Sequence, residues 1–140
     1  MAIYGVAYII ALLIFAAMDG TWLTVMGSRL YKPTLEPLLL PTVNIGPAVG
    51  FYLLYTVGLV VFAITPALKA GSVIPALVFG ALLGAVAYGT YDLTNFATLK
   101  VWSWQITIID ICWGAFASAV IAALTTLATR ALAPRFGLTL

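Results

Sequence analysis

The chain has no histidine and one cysteine, Cys112, so it can build neither a disulfide framework nor a Cys/His metal site. Charge is scarce too. Charged residues make up 7% of the 140 positions and hydrophobic ones 64%, whereas soluble domains carry about a quarter charged residues. This balance excludes an ordinary soluble globule and indicates an all-α integral membrane protein. Five of the six basic residues lie outside the apolar runs, Arg130 lies at the end of the fourth, and they form no dense patch. They suit a bilayer with anionic lipids, and no nucleic-acid partner is expected. No cofactor motif is present, and no metal site is expected.

What is present is a set of four apolar runs, about 2–27, 45–65, 73–99 and 105–132, each long enough to cross roughly 30 Å of hydrocarbon at about 1.5 Å per residue. The whole chain, 1–140, is expected to form one domain, an up-down bundle with both termini on one side. The first run has no basic leader and carries Asp19 near its end, so it reads as a span and not as a cleaved signal. Residues 28–44 read as an interfacial linker, because Pro33, Pro37 and Pro41 cannot continue a regular helix. Asn44 and Pro47 mark the start of the second run, and Pro66 marks its end. Lys100, Trp102 and Trp104 mark a tight turn at headgroup level. Orientation is not decided, since Lys69, Arg130 and Arg135 on the termini side balance Arg29, Lys32 and Lys100 on the loop side.

Polar residues inside these runs carry the functional information. Three of the four acidic residues, Asp19, Asp92 and Asp110, fall within spans, and no Lys, Arg or His lies at their depth, since Arg130 is at the far end of the fourth span. Counted along the helices, they lie roughly 12, 10 and 8 Å from the loop-side ends of their spans. Tyr52 and Tyr55 enter at a comparable depth in the second run. Tyr88, Asp92 and Asn95 follow an i, i+4, i+7 pattern on one helix face, continuous with Gly84, while Tyr91 and Thr94 stand beside them. Asp19 with Trp22 and Asp110 with Trp113 repeat one D-x-x-W spacing. If spans 1 and 4 are antiparallel neighbours, each indole N–H reaches the opposite carboxyl.

Such pairing contributes about 0.6 kcal/mol per bond, against roughly 2.5 to 3.5 kcal/mol for an aspartate at a span centre. Helix adhesion alone does not offset three of them. The candidate ligand- or proton-binding layer is therefore Asp19, Asp92, Asp110, Asn95, Tyr52, Tyr55, Tyr88, Tyr91, Thr94, Trp22 and Trp113, with Asp92 expected at its centre. Gly80-x-x-x-Gly84 and the Ala115, Ala119, Ala123 ladder are small-residue faces, for packing within the chain or in a homodimer or larger membrane complex.

Asp19-x-x-Trp22, Phe51-Tyr52-Leu53-Leu54-Tyr55, Tyr91-Asp92-Leu93-Thr94-Asn95 with Ala97-Thr98-Leu99, and Asp110-x-x-Trp113-Gly114 together resemble the bacterial membrane proteins called domain of unknown function 2177 (DUF2177). The resemblance implies a small four-span protein of the bacterial inner membrane and brings no assigned activity. Three function classes follow from the residues. The first is a proton- or cation-linked carrier or binding protein for a small apolar or lipid-like ligand. The second is a membrane-embedded enzyme on a lipid or isoprenoid, using an aspartic acid as general acid. The third is an accessory subunit of a larger complex. Against the enzyme stand the absence of a nucleophile with a recognisable base and of a D-D-x-x-D diphosphate motif.

Overall fold

A computed structural model describes residues 2–137. Among these residues all regular structure is helical, and four helical stretches are long and apolar enough to cross a membrane: span 1 (Ala2–Leu38), span 2 (Ile45–Ala70), span 3 (Ile74–Thr98) and span 4 (Trp104–Phe136). The bundle is apolar on its outside, where Leu13, Leu54, Phe62, Leu82 and Phe116 are exposed, and it buries all three intramembrane aspartates. That inversion of a soluble protein's pattern is what a lipid solvent requires.

Local chemistry sets the turns. Gly71, at φ 61°, ends span 2 in the left-handed conformation that glycine adopts without a Cβ penalty. The Ser72 hydroxyl then accepts the Ile74 N–H at 3.2 Å as span 3 begins. Span 4 starts at Trp104 because Ser103 caps it, its hydroxyl accepting the Ile106 N–H at 3.1 Å.

Spans 3 and 4 form the tightest pair. A Cβ at Gly84 would lie 2.0 Å from the Gly114 carbonyl oxygen, and one at Gly80 would lie 2.7 Å from that of Ser118. Gly114 in turn leaves room for the Tyr88 ring, which a Cβ there would meet at 2.3 Å. The G-x-x-x-G face is thus consumed inside the chain and is not a free dimer face. Phe15, Leu59, Ile64, Leu68 and Ile121 fill the core toward the termini side, and Tyr55 reaches across it to the Ser118 hydroxyl at 2.6 Å.

Two helices run past the prolines expected to end them. In each, a π-helical turn precedes the proline by two residues: Gly27–Tyr31 before Pro33, and Val60–Ile64 before Pro66. Proline removes one i→i−4 hydrogen bond and crowds the carbonyl four residues back, and a wide turn upstream relieves both. Span 1 therefore continues as helix to Leu38, 37 residues in all, about 55 Å at 1.5 Å per residue and well beyond the hydrocarbon thickness. Its last turns pack sideways on the start of span 4, where Leu30 and Leu35 meet Trp102 and Ile106.

Span 2 leans. Its Val60–Ile64 turn packs on span 3, while most of Ile45–Leu59 stands away from span 3. The two helices diverge toward the loop side and leave a wedge between them.

Candidate functional site

The D-x-x-W motifs of spans 1 and 4 meet in the loop-side half of the bundle. Trp113 Nε1 donates to Asp19 Oδ1 at 3.3 Å, the direct half of the expected reciprocal pairing. The other half is relayed. Trp22 Nε1 donates to the Tyr31 hydroxyl at 2.8 Å, and that hydroxyl donates to Asp110 Oδ1. The two indoles stack between these bonds, 4.2 Å apart and 6° from parallel. Tyr52 completes the layer from span 2, donating to Asp19 Oδ2 at 2.5 Å.

Tyr31 was not legible as a site residue. It lies twelve residues after Asp19, which on a regular helix of 3.6 residues per turn places it about a third of a turn off the Asp19 face. The π-turn absorbs one residue, so Tyr31 occupies the position of an i+11 residue and returns to that face. Pro33, read from sequence as a linker signal, is the only visible trace of this rotation.

A cavity of about 640 Å³ occupies the wedge between spans 2 and 3. Asp19, Asp110, Tyr31, Tyr52 and Tyr88 line it with Trp22 at its inner end, and Leu39, Val43, Ala48 and Phe51 form an apolar side. Leu39, Val43, Phe51 and Tyr91 are exposed, so the cavity opens on the flank of the bundle. Lys32 also lines it and is exposed. A shallower hollow of about 290 Å³ near Leu12 and Val49 is almost wholly apolar and touches none of the acids.

The remaining expected site residues are dispersed. Trp113 lies behind Trp22 and does not line the cavity, and Tyr55 is engaged by Ser118 in the core. Asp92 is fully buried, yet it does not line the cavity, and neither of its oxygens has a hydrogen-bond partner. The Trp102 indole lies beside it, its N–H also without an acceptor in good geometry. Asn95 is half-buried outside the cavity, and Thr94 is exposed with its hydroxyl donating to the Thr90 carbonyl at 2.5 Å. Asp19 and Asp110 therefore line the cavity, and Asp92, expected at the centre of the layer, does not. Depth along a helix fixes the height of a residue and not the direction it faces. Among the described residues no group of three or more His, Cys, Asp or Glu side chains is placed to hold a metal ion.

A four-span, all-helical membrane bundle with an acidic and aromatic layer inside it is the class that this fold defines. The chain belongs to the DUF2177 family, described as predicted membrane proteins, whose model matches residues 4–127 and so takes in every residue of the layer. Neither curated proteins nor solved structures give a match to the chain.

Proposed function

We propose that this protein binds a lipid-like ligand within the bacterial inner membrane, in the cavity between spans 2 and 3, and that Asp19 and Asp110 exchange a proton or cation as the ligand comes and goes. One observation supports this above the others: an apolar cavity open on the flank of the bundle ends on two buried carboxyls. A layer serving only to staple helices has no use for such a space, since packed interiors leave few voids larger than a water molecule. At about 640 Å³ the cavity falls within the roughly 300 to 1,000 Å³ of sites for drug-sized ligands, with an apolar wall and a few convergent polar groups. Ionisable residues inside a membrane mark ligand or proton pathways by default.

The test is native mass spectrometry of the protein released from lipid nanodiscs, wild type beside Ala48→Trp and Ala87→Trp. Both alanines line the cavity, and an indole there fills it. A small lipid-like adduct on the wild type that both variants lose supports the reading. An adduct retained by the filled variants, or a stoichiometric protein partner with no small adduct, overturns it, the latter in favour of an accessory subunit.

A further inference from the structure

We propose that the ligand is a cation: an amphiphilic amine or quaternary ammonium whose head lies between Asp19 and Asp110. This rests on the reading of the cavity as a lipid-like binding site and adds the charge of what fills it.

The donors at the inner end are already committed. Tyr52 and Trp113 donate to Asp19, Tyr31 donates to Asp110, and Trp22 donates to Tyr31. Acceptors remain, because Asp110 Oδ2 receives no hydrogen bond among the described residues although Asp110 is only 5% exposed and lines the cavity. A carboxylate or phosphate head would meet two acids there, with the uncommitted phenols of Tyr88 and Tyr91 and the Lys32 ammonium as the remaining donors of the cavity wall. A head that donates, or that carries positive charge, fits both acids.

The walls separate a cation from a neutral donor. Trp22, Tyr52 and Tyr88 bring aromatic rings to the same inner end as the acids. Ring faces attract an ammonium and hold no comparable preference for an alcohol. Lys32 is the one basic residue that lines the cavity, and it lies in the part of span 1 that extends past the hydrocarbon thickness, where water screens its charge, whereas the two acids act through a water-poor interior. Its position orients a cationic head inward, away from the ammonium at the edge.

The experiment uses the full chain in dodecyl maltoside micelles, whose head carries no ammonium, titrated with three probes of one chain length: tetradecyltrimethylammonium, tetradecanol and tetradecanoate. Saturable change in tryptophan emission reports occupancy, since Trp22 lines the cavity. The ammonium should bind about tenfold tighter than the alcohol, the ratio that a cation–π and charge preference of about 1.4 kcal/mol produces. The Asp19→Asn/Asp110→Asn variant should erase the ratio. Because that variant removes two buried partners and is at risk of not folding, Lys32→Gln is measured as well. Its exposed side chain is dispensable to packing, and its loss should tighten ammonium binding several-fold. Alcohol and ammonium binding equally would overturn the charge assignment while leaving the lipid-like reading intact. Preferred binding of tetradecanoate would also overturn it. No saturable binding of any probe would overturn both.

Discussion

The indole rings of Trp22 and Trp113 stack face to face at 4.2 Å, joining two copies of one short motif carried on antiparallel helices. Each tryptophan lies three residues after an aspartate, and each N–H points toward the opposite aspartate, directly for Asp19 and through Tyr31 for Asp110. The stack fixes the register of span 1 against span 4. The two carboxyls come level at the end of the wedge that span 2 leaves open.

Tyr31→Phe should destabilise the protein by about 1 to 2 kcal/mol, because it removes the donor to Asp110 and leaves the Trp22 N–H without an acceptor. Pro33→Ala should act through the same group. Without the proline the π-turn loses its cause, and Tyr31 moves off the Asp19 face. The two substitutions are therefore expected to be non-additive in a double-mutant cycle, measured by reversible unfolding in a bilayer mimic. Simple additivity would show that the proline does not place the phenol.

Gly84→Ala should be among the most damaging substitutions in the chain, since its methyl would lie 2.0 Å from the Gly114 carbonyl oxygen and would force the span 3–span 4 pair apart. Gly20→Ala is the matched control, with nothing within 4 Å of the added carbon. Alanine is favoured over glycine within a helix by about 1 kcal/mol, so Gly20→Ala should be neutral or stabilising while Gly84→Ala costs several kcal/mol. A small effect at Gly84 in the same unfolding measurement would contradict the close backbone approach.

Asp92 and Asp19 are both buried aspartates, yet truncation should separate them. Asp19→Ala orphans the Tyr52 hydroxyl and the Trp113 N–H, at about 1 to 3 kcal/mol for each unsatisfied group. Asp92→Ala removes a carboxyl whose neighbouring donor, the Trp102 N–H, does not bond it in good geometry, so the unfavourable burial of a polar group goes with it and the variant should be as stable as the parent or more so. Equal destabilisation by the two, read from thermal unfolding in nanodiscs, would show that Asp92 has an important partner.

The four helices were legible in the sequence because a bilayer imposes length and apolarity on a span, and both survive without any knowledge of packing. Trp113 with Asp19 was legible for a related reason: two equal spacings on antiparallel helices bring the same levels together. Azimuth was not legible. Asp92 shares the depth of the other acids but lies outside the cavity that they line, and nothing in Tyr91-Asp92-Leu93 shows this. Tyr31 was hidden further, since prolines that signal a linker in isolation are accommodated here by π-turns, and the face presented after such a turn cannot be read from a period of 3.6. The lean of span 2 arises likewise from packing around Val60–Ile64 and has no signature in the apolar run.

Tyr52 and Tyr55 lie one turn apart on span 2, and the structure gives them different roles. Tyr55 is 8% exposed, bonded to Ser118 and packed against Phe15, in the core and outside the cavity. Tyr52 lines the cavity and holds Asp19. Tyr55→Phe leaves the Ser118 hydroxyl without its partner, so its effect should appear as lost stability, about 1 kcal/mol, with ligand affinity unchanged. Tyr52→Phe frees an Asp19 oxygen at the cavity wall, so its main effect should be on ligand binding. Titration of both variants in nanodiscs with one alkyl probe, alongside their unfolding, resolves the two effects. Should Tyr55→Phe shift affinity as much as Tyr52→Phe, the ligand would reach the core past Tyr52, and the division between structural and binding phenols drawn from the geometry would fail.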